Sequence, residues 1–236
     1  MPIIARDILT PARVILQDGG STRWPLTELV TWLNAGLREL PMRMPSSTST
    51  NFVLAMVAGT KQTLPDAYAS LIRVRRNVTG VFPSHVGSMA VTPIVREILD
   101  AQNPHWHDPV RTPFRPMVRH VMSDPYDQRT FYVYPGNDGT GQVECVLSAI
   151  PVAVAVVGMA DPEDIDSYGM TIALQSIFQS ALVDYVLYRA FSKDMQLAGA
   201  ADRAGAHYGQ FTATLDTKAA LEGMANVNTT QTQPNS

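Results

Sequence analysis

A single cysteine, Cys145, is all the thiol this chain has, so no disulfide can close within it. That excludes a stapled secreted scaffold and fits a reducing compartment, with the cytoplasm expected as the site of synthesis. It also removes the thiolate ligands that structural zinc favours. Long apolar runs are missing too. The longest, residues 149–160, is broken by Pro151 and Gly158 and falls short of the ~20 residues a helical membrane span needs. The first seven residues, Met1-Pro2-Ile3-Ile4-Ala5-Arg6-Asp7, lack a basic stretch followed by an apolar one, so no secretory signal is expected. Charged residues are sparse at 17%, against an apolar share of 45%. This balance suits a chain that buries a substantial core, as one domain with an insertion or as two small ones.

Strong basic patches are also absent. Residues 1–60 carry five basic and four acidic groups, and residues 61–129 carry nine and six. Residues 130–160 hold no basic and two acidic groups, residues 161–236 four and nine, and the net charge is −3. Gripping DNA through its phosphates needs several clustered cations. The middle is mildly arginine-rich through Arg73, Arg75, Arg76, Arg111, Arg115 and Arg119. Dispersed surface arginine accounts for them, with an interface or a nucleic-acid-facing surface as the alternative.

What is present is mostly packing. A first helix is expected over residues 4–18, with Ile4, Ile8, Ala12 and Ile15 on one face and Gly19-Gly20 as its stop. Pro11 disturbs it, and Thr10 as N-cap with Pro11 at the first helical position gives a shorter alternative. A second helix starts at Pro25, with Glu28 near its positive end, and carries a seam of Leu26, Val30, Leu33, Leu37 and Leu40. Trp24 and Trp32 widen the apolar face, and Pro41 and Pro45 are expected to stop the helix. The pattern then changes. Residues 51–57 read as a strand, Gly59-Thr60 as a turn, and residues 61–64 as a strand pairing back. Residues 71–78, 118–122, 130–134 and 142–150 also read as strands, the last two joined by a glycine-rich hairpin loop at 135–141. Residues 93–100 suggest a short helix, and the proline-rich 103–116 an irregular loop.

Helical character returns beyond residue 160. The acids Asp161, Glu163, Asp164 and Asp166 fit a helix start, where the dipole favours them. Apolar residues lie almost all the way round residues 171–191, as in a helix buried on several sides. A further helix from near Ser192 keeps a seam at Leu197, Ala201, Ala204, Tyr208, Phe211 and Leu215. Its small residues, Ala198, Ala201, Ala204 and Gly205, let another backbone come close. Residues after Gly223 lack the apolar content to order themselves. The fold class expected is α+β, mainly α: a helical bundle from residues 1–45 and 161–222, a small antiparallel β unit inserted at 46–160, and a flexible tail at 223–236.

Catalytic chemistry has no foothold in this pattern. The loop at 136–141 has neither the following helix nor the Lys-Ser/Thr pair of a phosphate cradle. His105-Trp106-His107-Asp108 is the one dense group of metal-capable side chains, and two histidines so spaced need further ligands from elsewhere. Trp106 is better read as the anchor of a proline-rich loop. The acids at 161–166 lack the glycine and oxygen spacing of a calcium loop. No Gly-x-Ser-x-Gly elbow is present. Asn77-Val78-Thr79 and Asn228-Thr229-Thr230 match the glycosylation pattern by chance in a chain without a secretion signal. No catalytic, cofactor-binding or metal-binding residue is assigned, and the chain is not expected to be an enzyme.

Three segments, in order, carry a resemblance. Arg23-Trp24-Pro25-Leu26-Thr27-Glu28-Leu29-Val30-Thr31-Trp32 and its continuation to Leu40 resembles the second-helix motif of bacteriophage head-to-tail adaptor (connector) proteins. Phe131-Tyr132-Val133-Tyr134-Pro135 is similar to the β insertion of one branch of them. Ala181-Leu182-Val183-Asp184-Tyr185-Val186-Leu187-Tyr188-Arg189-Ala190-Phe191, followed by Tyr208 and Phe211, is the nearest likeness, and the set spans most of residues 3–215. The resemblance implies a virion structural protein, made in the host cytoplasm, that forms a ring, typically a dodecamer, beneath the portal vertex. It implies the portal protein and a tail or nozzle protein as partners, no membrane, and genomic DNA passing through the shared channel without sequence-specific binding. Family members dock through terminal extensions, which places partner binding at Gly223, Met224, Ala225, Asn226 and Val227. The competing expectation is a nucleic-acid-binding helical protein of packaging or regulation. That reading predicts a basic recognition helix, which neither residues 26–40 nor 172–215 offer.

Overall fold

The computed structural model describes residues 3–81, 84–124, 126–156, 160–194, 196 and 198–224. Among these the chain opens with β1 (Ile3–Ile4), α1 (Arg6–Ile15) and α2 (Leu26–Arg43). Its middle holds β2 (Ser49–Ala55), β3 (Gly59–Thr63), β4 (Tyr68–Thr79), β5 (Val86–Ala90), β6 (Thr92–Pro93), α3 (Arg96–Gln102), β7 (His120–Ser123), β8 (Thr130–Asn137) and β9 (Gln142–Ala149). It closes with β10 (Thr171–Ile172), α4 (Gln179–Lys193) and α5 (Ala200–Met224). Two compact units result, one from Met1–Met44 with Pro151–Ser236 and one from Pro45–Ile150.

The expected mainly-α bundle with a small β unit is overturned. The described residues form five helices and ten strands in three sheets, and two of those sheets have four strands each. The middle unit is a fold with its own core. Its first sheet runs β2-β9-β4-β5 and its second β3-β8-β7-β6, antiparallel except for the β6–β7 pair. Leu54, Val74, Val143, Cys145 and Leu147 of the first sheet and Val121, Phe131 and Val133 of the second bury into one cluster. Alternating inward residues from two sheets are the packing rule of a β-sandwich. Two pairings differ from expectation. Residues 61–64 do not fold back on β2, because β3 pairs with β8. Strands β8 and β9 are not a hairpin; they lie in different sheets, and the turn between them crosses from one to the other. Register shifts along β4, at three places opposite β9, break the two-residue alternation that makes a strand legible.

In the helical unit, α1 runs through Pro11. A proline there leaves the carbonyl of Asp7 without its helical donor. Gln179 of α4 fills the gap, its Nε2 donating to that oxygen at 3.0 Å. The helix ends at Ile15, and the left-handed residue after it is Gln17 (φ 55°) rather than either glycine of the expected stop. Helix α2 likewise continues past Pro41 to Arg43, because in the last turn a proline forfeits a single hydrogen bond. The acids at 161–166 open only a short 3-10 helix, Ile165–Tyr168, with Asp164 as its N-cap, and not an α-helix. Glu163 instead accepts from the backbone of Leu26 at 2.9 Å and from Thr27 Oγ1 at 3.1 Å, capping α2 from far along the chain. Asp166 pairs with Arg6 at 2.6 Å.

Residues 171–178 are not helical, since Thr171 and Ile172 pair with Ile4 and Ile3 and a 3-10 turn follows at Ser176–Phe178. The side chains of α4 then fill the core: Leu182, Val186, Leu187 and Ala190 are fully buried against Leu29, Leu33 and Leu37 of α2 and Phe211 of α5. Close approach occurs on α2 at Gly36 and also on the α5 seam, where buried Ala204 packs into the core beside α4. A side chain at Gly36 would meet the Tyr185 ring at 2.8 Å, whereas Ala201 and Gly205 are exposed.

Candidate interaction surfaces

Helix α5 carries the terminal segment to which partner binding was assigned. Gly223 is exposed, Met224 ends the helix, and Ala225, Asn226 and Val227 lie outside the described residues. The helix is held down by a polar latch. Glu39 Oε1 accepts from Arg43 Nε at 2.9 Å and from the Tyr208 hydroxyl at 3.2 Å, and Arg43 also reaches that hydroxyl at 2.5 Å. Burial, reinforced by the Glu39 carboxylate, raises the Tyr208 phenol above its ordinary range and pushes Tyr185 up to about 12. The hydrogen bond to Glu39 holds the Arg43 guanidinium more firmly protonated. One residue earlier His207 meets Asp184 at 2.8 Å and stacks on Phe191, ring centroids 5.7 Å apart. These contacts hold the first half of α5, and buried Phe211 and Leu215 continue its packing as far as residue 215.

The chemistry-bearing motifs of the β unit are occupied by structure. Trp106 is fully buried and donates its indole N–H to Asp100 at 2.7 Å, anchoring the proline-rich segment. His107 Nδ1 meets Thr60 Oγ1 at 2.7 Å, and burial followed by the Arg96 charge lowers its pKa. Among the described residues no group of three or more His, Cys, Asp or Glu is arranged to hold a metal. Burial pushes the Cys145 thiol up to about 12, which keeps it a buried thiol rather than a thiolate. In the glycine-rich turn, Asn137 Oδ1 accepts from the backbones of Gly139 and Gly141 at 2.8 and 3.2 Å, and the Asp138 carboxylate takes that of Thr140. The turn thus spends its donors on itself rather than on an anion.

Of the concave surfaces on this unit, two lie beside segments singled out in the sequence. A groove of about 780 Å³ runs beside α3 and the edge of the second sheet, lined by Pro93, Ile94, Val95, Val121, Tyr126 and Tyr132. A smaller pocket of about 300 Å³ has Arg111, Arg115, Arg119, Asn103 and Tyr134 in its walls. Half of the arginines noted in the sequence therefore converge. Their backbone is laid along β8: Arg115 donates to Gly136 at 2.8 Å and Arg119 to Tyr134 at 2.7 Å. Buried Asn137 clamps the same stretch, with Nδ2 donating to the carbonyls of Arg115 and Pro116 at 3.2 and 3.0 Å. On β4, Arg75 and Arg76 instead share Glu144 at 3.2 and 2.8 Å. Sequence spacing could not find the pocket, because only the partnership with β8 folds residues 111–119 into one wall.

Comparison with known proteins gives one family. The family model described as SU10 adaptor protein matches residues 4–234, nearly the whole chain and both units. A search of curated proteins returned no match.

Proposed function

The chain belongs to the SU10 adaptor protein family, and from that premise we propose that it forms a closed ring between the portal and the tail or nozzle of the virion. A phage adaptor is a structural component of the particle, and the family match across both units is the observation that carries the reading. The ring, most simply a dodecamer, would bind the portal on one side and a tail or nozzle protein on the other, and line the channel through which genomic DNA passes. Subunits of such a ring meet through heterologous contacts that close by rotation. The rigid α5 and residues 223–227 beyond its latch would dock on a neighbouring virion protein. The motifs that usually carry chemistry are committed to folding contacts, which fits a structural role. No helix among the described residues is long and apolar enough to cross a membrane.

The test is the solution mass of the full chain, alone and mixed with the portal ring. Fixed-stoichiometry incorporation into the ring is the expected result. DNA retention without ring binding would instead favour a nucleic-acid-binding protein. Removing residues from Gly223 onward should leave the fold intact, with an unchanged circular-dichroism spectrum, while incorporation falls by at least about tenfold, the scale of one well-made contact. Undiminished incorporation would remove the terminal segment from the docking surface.

A further inference from the structure

We propose that the arginine pocket of one copy receives the acidic turn at residues 161–164 of the next copy, making this the electrostatic contact that sets the order of subunits around the ring. The inference rests on the ring reading above and supplies it with a specific joint.

The pocket is built, not incidental. Arg111, Arg115 and Arg119 line it, the last two on a backbone fixed to β8, with Arg115 also clamped by fully buried Asn137. Their charge is barely compensated. Arg111 has Asp108 at 3.9 Å, the edge of an ion pair, and among the described residues Arg115 and Arg119 have no ion pair or side-chain hydrogen bond. On the same unit Arg75 and Arg76 are neutralised by Glu144 and Arg129 by Asp66 at 2.6 Å, whereas exposed Arg73, like Arg115 and Arg119, has no ion pair among the described residues. Like charges held together without partners cost stability and mark a surface kept for an anion.

The complementary surface belongs to the helical unit. Asp161 and Asp164 are exposed and have no cationic partner among the described residues. One oxygen of each closes a short turn, Asp161 Oδ1 accepting from Glu163 N at 2.9 Å and Asp164 Oδ1 from Asp166 N at 3.0 Å, so the turn is already shaped. A preformed turn loses little freedom on docking, and its remaining carboxylate oxygens match the forked donors of arginine. The larger distribution leans the same way: residues 45–150 carry nine basic and eight acidic groups, residues 1–44 with 151–236 nine and thirteen. A subunit with a cationic surface on one unit and an anionic one on the other meets its copies head to tail, as heterologous contacts require. Duplex DNA fits less well. Its phosphates lie on a convex rod, whereas this site is a recess of about 300 Å³ suited to a protruding turn.

The test uses the full chain with its portal ring and reads adaptor incorporation by sedimentation. One variant carries Arg111→Glu, Arg115→Glu and Arg119→Glu, a second carries Asp161→Arg and Asp164→Arg, and a third carries all five. Unaltered thermal melts establish that each is folded. The first two should need at least about tenfold more protein for incorporation, a typical effect of like charges facing across an interface. The third should recover to within about threefold of the parent. Incorporation of the first two at the parent's level, or no recovery in the third, overturns the contact while leaving the ring intact. Loss of low-salt duplex binding in the first variant, with normal incorporation, overturns it in favour of DNA. A parent chain that never joins the portal overturns the ring reading itself.

Discussion

Histidine 107 shows how a motif that reads as chemistry becomes structure. The His-x-His sequence is legible as a possible ligand pair, but only the fold shows its ring against Thr60 and Trp106, the latter with centroids 3.5 Å apart. Burial and Arg96 hold its pKa below the ordinary 6.5, so the native state resists the proton that the unfolded chain accepts. The sign follows. As pH falls through about 6.5 the unfolded state gains protons that the folded one does not, and stability declines. Denaturant midpoints measured at pH 8 and pH 5.5 should show this loss, and His107→Gln should reduce it. Asn137 shows the opposite failure of reading. It looked like a turn residue, and turns out to be a fully buried clamp between two stretches 20 residues apart, because a buried amide must satisfy four hydrogen-bonding positions.

At the scale of elements, helices were legible where their apolar face meets a core and illegible at their ends. Leu26, Leu33, Leu37 and Leu40 are fully or almost fully buried on α2, as the seam requires. The ends of the same helix depend on distant groups, Glu163 at its start and Tyr208 beside its last turn, which no local pattern reports. Glu163→Ala should therefore lower stability by about 1–2 kcal/mol, the usual cost of losing a helix cap, while Glu163→Gln, which keeps an acceptor, should cost less. Thermal denaturation of the two variants checks the order. Strands suffered more than helices. Strand β5, Val86-Gly87-Ser88-Met89-Ala90, has no alternation to detect, being an edge strand with mostly exposed residues. Residues 171–172 were absorbed into a predicted helix because the pairing with Ile3–Ile4 that makes them a strand comes from the other end of the chain.

For the whole molecule, composition suits a substantial core and leaves open whether it lies in one domain with an insertion or in two small ones. The largest hydrophobic cluster is confined to residues 3–44 and 154–215, and the second to residues 52–147. Because each unit has its own core, the two should unfold in separate steps. Calorimetry or a denaturant titration with Trp24 and Trp32 reporting one unit and Trp106 the other is expected to resolve two transitions. A single coincident transition would show that the units are coupled. The arginine pocket was the least legible part, because three of six scattered arginines converge only where one irregular segment lies along a strand. The family was legible, the adaptor resemblance of residues 23–40, 131–135 and 181–191 agreeing with the family match.

The helical unit is discontinuous, and this bears on how the chain is made. During synthesis α1 and α2 leave the ribosome with their leucine seam bare, because Glu163, Gln179 and the whole of α4 have yet to be translated. The sandwich between them is complete once β9 emerges, so it can fold first and bring the waiting N-terminal helices near the place where their partners will appear. Until then those helices are nascent clients for chaperones. A translational pause soon after residue 150 would prolong that exposure, whereas one that comes after α4 has left the ribosome would be too late to matter.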